Sequence, residues 1–207
     1  MLTVVAVDDT FVVVDKPGGL LSVPGRGPDK QDCLSARVQR EFPDALIVHR
    51  LDMETSGLMV FARGLAAQRA LSRSFEQRQV DKRYEAVADG LLPHDAGHMD
   101  WPLIADWPNR PRQKVDMEWG KPSVTHYRVL RRDIVARTTR VELTPVTGRS
   151  HQLRVHLATL GHAILGDSLY ASANVASAAR LNLHATGLSF PHPQSATVCA
   201  YQSPAPF

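Results

Sequence analysis

Cysteine is almost missing from this chain: Cys33 and Cys199 are the only two in 207 residues, with no C-x-x-C pair and no metal-like spacing. That scarcity argues against a disulfide framework and against a cysteine-built metal site. Long apolar runs are missing too, since none approaches the ~20 residues a membrane-spanning helix requires. The N-terminus, Met1-Leu2-Thr3-Val4-Val5-Ala6-Val7-Asp8-Asp9, lacks a basic start and turns acidic early, unlike a secretory signal. Dinucleotide-binding glycine fingerprints, phosphate-binding loops, internal repeats and low-complexity tracts are likewise absent. What is present is ordinary for a globular protein, 43% apolar and 22% charged residues. The length suits one large domain or at most two small ones. A soluble, cytoplasmic protein is the simplest expectation, and nothing in the sequence calls for a dimer.

Charge of one sign is in small excess, net +3, but unevenly spread. Residues 1–48 carry five Lys/Arg against seven Asp/Glu, whereas residues 49–207 carry nineteen against fourteen. A basic excess in the later part fits contact with a phosphate backbone, and it fits a solvated basic face equally well.

The periodicity predicts short strands over Val4–Val7 and Phe11–Asp15, broken by an Asp8-Asp9-Thr10 turn. A Pro/Gly-rich loop over residues 16–25 follows. Asp32 is placed to cap a helix running to about Glu41, and Ala67, Leu71 and Phe75 mark a second amphipathic helix over Leu65–Gln79. Strands are expected over Lys82–Ala88, Ser123–Leu130, Val141–Thr144, Arg180–Phe190 and Ala196–Tyr201. A further helix with Leu153, Leu157 and Leu160 on one face should stop at Gly161. Residues 90–122, rich in proline and tryptophan, read as a long excursion from the sheet. Within it, Arg110 and Lys114 lie near Trp107, a combination suited to backbone contact plus stacking on a base. A proline-stiffened loop around a packed tryptophan is the alternative. Many short strands, few helices and no regular βαβ alternation predict an α+β fold on a largely antiparallel mixed sheet, with flanking helices and long loops.

The most telling stretch is His49-Arg50-Leu51-Asp52-Met53-Glu54-Thr55-Ser56-Gly57-Leu58-Met59-Val60-Phe61-Ala62-Arg63. It sets one carboxylate, Asp52, beside an arginine in a polar turn, and the apolar run Leu58–Ala62 reads as a buried strand. A turn entering a rigid sheet can hold a reactive side chain in place; a carboxylate bonded to nearby turn amides is the blander reading. His49, His151, His156 and His184 raise the question of a metal, but no Glu or Cys completes a ligand set, and no metal is expected.

This segment closely resembles the signature of the RluA-type pseudouridine synthases. Further family-like motifs follow in order: Lys16-Pro17-Gly18-Gly19-Leu20, Arg83-Tyr84, Gly120-Lys121-Pro122, Thr147-Gly148-Arg149-Ser150-His151-Gln152-Leu153-Arg154-Val155-His156, Gly161-His162 through Gly166-Asp167, and Leu183-His184-Ala185. The Ser22-Val23-Pro24-Gly25-Arg26 and Asp106-Trp107-Pro108-Asn109-Arg110-Pro111 stretches look most like the short branch that modifies both large-subunit ribosomal RNA and the anticodon arm of some tRNAs. The resemblance implies a single catalytic domain over residues 1–207, with no S4-type domain, wrapped around a central RNA-binding cleft. It implies that Asp52 is the catalytic carboxylate, with Arg154 as its guanidinium partner and Tyr84 stacking on the flipped base. It further implies that Arg50 fills the vacated space and that Leu183 belongs to the apolar wall. The partner is then RNA, with no cofactor and no membrane. One departure is Asn182, in a strand that is usually apolar in the family.

Two rival readings remain at this point. One is a non-catalytic RNA-binding module, which has no need of Asp52, Tyr84 and Arg154 together. The other is a nucleoside hydrolase or glycosidase, which ordinarily needs a second carboxylate or a metal; only Glu54 lies near Asp52 in sequence.

Overall fold

The computed structural model describes residues 2–207. The chain starts with an antiparallel pair, β1 (Thr3–Val7) and β2 (Phe11–Lys16). Asp8 makes the turn between them, its carboxylate accepting from the Thr10 amide at 2.8 Å and the Thr10 hydroxyl at 2.7 Å. α1 (Leu34–Glu41) buries Leu34 and Val38 as the spacing requires, but its N-cap is Cys33, not Asp32. The Asp32 carboxylate is engaged elsewhere, in a two-pronged pair with Arg37 at 2.7 and 2.8 Å. β3 (Ala45–Ile47), β4 (Ser56–Arg63), α2 (Gly64–Glu76) and β5 (Asp81–Asp89) follow.

Residues 90–122 are not one irregular excursion. They contain β6 (Ala96–Met99) and a hairpin of β7 (Leu103–Ala105) and β8 (Gln113–Val115) around a short 3-10 turn, Trp107–Asn109. Strands of three or four residues are too short for alternation to show above the flanking prolines. β9 (Thr125–Asp133), β10 (Thr138–Pro145), α3 (Gln152–Thr159), α4 (Ala173–Ala176), β11 (Leu183–Pro191) and β12 (Val198–Gln202) complete the chain.

Two compact units result, one from residues up to Lys82 together with His184–Pro206, the other from Arg83–Leu183 with Phe207. In the first, β2 and β3 pair antiparallel with β4, β11 joins β4 in parallel through His184↔Ser56 and Ala185↔Gly57, and β12 pairs antiparallel with β11. Seven of the eight residues of β4 are buried, so both faces of this strand are covered and its sequence is a continuous apolar run. One face sets Leu58, Val60 and Ala62 against Phe11, Val13 and Leu71. Each such side chain taken out of water contributes roughly 1.5–3 kcal/mol.

In the second unit, β5, β10, β9 and β6 form an antiparallel sheet in that order. Leu153 and Leu157 of α3 cluster with Val141 and Leu143 of β10 and with Ile164 and Leu181 from the connecting segments. Gly161, at φ +90°, supplies the left-handed step that ends this helix, as its position in the sequence predicts. Asn182 lies just before β11, outside any strand and half-buried, while Leu181 and Leu183 on either side are 1% and 2% exposed and belong to the core cluster. Among the described residues, no helix is long and apolar enough to cross a membrane.

Candidate active site

In the first unit, the backbone on both sides of Asp52 is clamped by the loop that follows β2. Ser22 Oγ donates to the Leu51 carbonyl at 2.6 Å and accepts from the Leu51 amide at 3.1 Å. On the other side, the Met53 carbonyl accepts from Lys16 Nζ at 2.8 Å and from the Gly19 amide at 2.9 Å. Lys16 is fully buried, and its ammonium also donates to the carbonyls of Pro17 and Leu20, at 2.9 and 2.7 Å. A buried charge of this kind is tolerable because each proton meets an acceptor. The Lys16-Pro17-Gly18-Gly19 loop and the HRLD turn therefore hold each other, with Asp52 half-buried between two pinned neighbours and Arg50 exposed.

Downstream of Asp52, Gly57 has φ +113°, and a Cβ there would sit 2.4 Å from the Ala185 amide nitrogen, so the parallel approach of β11 demands glycine. Buried Ser56 meets Nδ1 of His184 at 2.8 Å; Nε2 of His184 lies 3.1 Å from Ser203 Oγ, which in turn donates to Asp15. Upstream, His49 Nε2 accepts from the Val60 amide at 3.0 Å, and the ring stacks on Phe75 with centroids 4.6 Å apart. Loss of water around the imidazole, aided by the charge of Lys82, pulls its pKa down to about 3, consistent with a ring nitrogen that serves as an acceptor.

In the second unit, Arg154 is carried by α3. It is 3% exposed and forms a bidentate pair with wholly buried Asp167, Nε to Oδ2 at 2.8 Å and Nη2 to Oδ1 at 2.7 Å. Oδ1 also accepts from the amides of Leu169 and Tyr170 at 2.9 and 3.1 Å. Burial pushes the Asp167 carboxyl up, but the hydrogen bonds and charge of Arg154 and the two amides outweigh it, and its pKa falls below the usual carboxylate value. Gly166 permits this arrangement, because a Cβ there would fall 1.8 Å from the Arg180 carbonyl oxygen.

The rest of the Thr147–His156 motif braces the start of α3. Gln152 Oε1 accepts from Thr147 Oγ1 at 2.8 Å and the Arg149 amide at 3.0 Å, while its Nε2 donates to the Val124 carbonyl and Thr125 Oγ1, both at 3.0 Å. His156 Nε2 meets the Trp101 carbonyl and Nδ1 meets Thr125 Oγ1, each at 3.0 Å. Because a carbonyl only accepts, Nε2 carries the proton, and burial holds the imidazole below its ordinary pKa.

The family model described as RNA pseudouridylate synthase matches residues 10–159. The chain belongs to that family. It is 51% identical over 201 residues to the dual-specificity RNA pseudouridine synthase RluA of Yersinia pestis, covering 97% of each chain. With the RluA of Escherichia coli K12 it shares 49% identity over 207 residues, covering 100% of this chain and 94% of that one. Among solved structures it resembles human RNA pseudouridylate synthase domain containing 1, with a TM-score of 0.84 at 28% identity, covering 100% of this chain and 84% of the other.

The pseudouridylate synthase fold distributes the expected residues unevenly. Asp52 and Arg50 lie in the first unit, on the clamped turn. Tyr84, Arg154, Leu183, Arg110 and Lys114 lie in the second. Tyr84 shares a face of β5 with Ala86 and Ala88 and packs against the cluster that contains Leu183. Trp107 is 65% exposed, which overturns the packed-tryptophan alternative, and the Arg110 guanidinium lies 3.2 Å from its ring centroid. Lys114 is exposed and 3.8 Å from Asp116. All four histidines considered as metal ligands are occupied by hydrogen bonds, His151 through Nδ1 to the Tyr170 hydroxyl at 2.6 Å. The sequence assigns no role to Lys16, Ser22 or Asp167, although all three lie inside quoted motifs, and that placement is the only available signal.

Proposed function

We propose that this pseudouridylate synthase isomerises specific uridines in structured RNA, both 23S ribosomal RNA and tRNA anticodon stem-loops, as a cytoplasmic monomer. The reaction breaks the C1′–N1 glycosidic bond, rotates the uracil, and joins C1′ to C5; the C5 proton leaves and N1 gains one. Nothing is oxidised and no group is imported, so a single ionised carboxylate and a shaped pocket suffice, without a cofactor. Asp52 is that carboxylate. It attacks C1′, removes the 2′ proton on the way to a glycal, or adds to the base ring. Arg154 supplies a fixed positive charge, and Tyr84 and Leu183 face the flipped base. Arg50 takes the space the base leaves, offsetting part of the few kcal/mol that unstacking costs. Arg110 and Lys114, beside Trp107, contact the backbone and bases away from the target.

The observation that carries the assignment is the backbone clamp on Leu51 and Met53, which immobilises Asp52 to a degree that an ordinary turn carboxylate does not require. Asp52→Asn should abolish conversion, read by carbodiimide labelling of RNA from a deletion strain complemented with the variant. RNA affinity should stay within about tenfold, since phosphate contacts dominate binding. Retained conversion in Asp52→Asn refutes the assignment.

A further inference from the structure

Three pieces of the second unit meet at Tyr170. Its backbone amide donates to Asp167 Oδ1 at 3.1 Å, helping to aim the carboxylate that holds Arg154. Its ring lies beside two guanidinium groups, Arg154 at 5.2 Å and Arg112 at 5.5 Å from the centroid. Its hydroxyl accepts from the Gln113 amide at 2.8 Å and pairs with Nδ1 of His151 at 2.6 Å. Gln113 is the first residue of β8, where the exposed Trp107–Arg110 turn rejoins the hairpin; the Asp106 amide closes that turn on the Arg112 carbonyl at 2.9 Å. His151 stands at the N-cap of the helix that carries Arg154, in a left-handed conformation at φ 55°. One phenol thus touches the outlet of the aromatic–basic turn, the start of α3 and the buried ion pair.

We propose that Tyr170 is a positioning residue that holds the Trp107–Arg110 turn in register with Arg154, so that one side chain sets both RNA engagement at the turn and the placement of the buried charge. This rests on the RNA-modifying function proposed above. A hydroxyl can serve the Gln113 amide as acceptor while still pairing with His151, and phenylalanine can do neither. A phenylalanine ring keeps the contacts with both guanidinium groups, and the amide bond to Asp167 is independent of the side chain. The two jobs are therefore separable by substitution.

The test uses the full chain and a tRNA anticodon stem-loop transcript that the wild type converts, with KM, kcat, the RNA Kd by filter binding, and Tm measured for each variant. Tyr170→Phe should fold and raise KM and Kd about tenfold, the worth of one or two hydrogen bonds, with kcat within about twofold. Tyr170→Leu, which also removes the ring beside Arg154, should lower kcat as well. In a Trp107→Ala background the Tyr170→Phe effect on Kd should shrink to less than about twofold, because both changes act through the same turn. Unchanged Kd in Tyr170→Phe, full additivity with Trp107→Ala, or a lowered Tm with KM and Kd intact would each overturn the coupling. A wild-type protein that binds the stem-loop but converts no uridine overturns the enzymatic reading instead, while the Kd cycle still judges Tyr170.

Discussion

Asp167→Asn isolates the buried ion pair with almost no change of shape. The asparagine oxygen can keep the Oδ1 position, with its bonds to the Leu169 and Tyr170 amides and to Arg154 Nη2. The amide nitrogen then faces Arg154 Nε, donor against donor, where Oδ2 now accepts at 2.8 Å. The negative charge is lost as well, and a guanidinium only 3% exposed is left without it. Removing one partner of a buried pair costs about 3–5 kcal/mol, because the remaining charge stays desolvated. For a chain of this size that corresponds to a fall in Tm on the order of 10 °C. A control exists in the same unit: Arg132 and Asp95 are also 2.7 Å apart, but Asp95 is 87% exposed, so Asp95→Asn should cost less than about 1 kcal/mol. Burial, not distance, separates the two cases. Acidity gives a second check. A carboxyl whose folded pKa is depressed adds stability above its unfolded value near 3.9 and loses it as the pH falls through the folded value. The wild type should therefore show a steeper acid limb below about pH 4 than Asp167→Asn does. Urea unfolding across pH measures both effects. Equal losses in Asp167→Asn and Asp95→Asn, or identical acid limbs, would refute the reasoning.

Lys16→Met should cost at least about 3 kcal/mol, because three carbonyls lose a charged donor in a dry site, and its Tm should fall accordingly. His49 should stay neutral far into acid, its imidazole shifts in NMR holding constant until about pH 3. The unfolded chain takes up that proton near pH 6.5, so stability should decline as the pH falls between those values, and the decline should be weaker in His49→Gln. Arg50→Ala should slow conversion of a uridine inside a structured loop more than of one in a single strand, since only the former must be unstacked. Equal losses in paired kinetic assays on the two RNAs would argue against a flipping role.

Much of this molecule is legible in one dimension. The strands β2, β4 and β5 and the helices α2 and α3 follow from hydrophobic spacing, because burial of a face is a local pattern repeated every two or 3.6 residues. The turn carrying Asp52 is legible for the same reason, as polar residues leading into an apolar run. The hairpin around Trp107 is not, because three-residue strands leave no period to read. Nor is the cap of α1, where Asp32 preferred an arginine to the helix amides.

What the tertiary structure alone decided is partnership. Lys16 reaches a carbonyl 37 positions on, Arg154 a carboxylate 13 positions on, and the Tyr170 hydroxyl an amide 57 positions back. Residue type declares that a buried lysine or arginine must find acceptors, but not which ones. Most of the acceptors are backbone carbonyls that every residue carries alike. Their availability depends on which ladder bonds the fold leaves unmade. The sequence therefore determined which side chains were chemically able to act, and the packing of distant segments determined which of them are held still enough to do so.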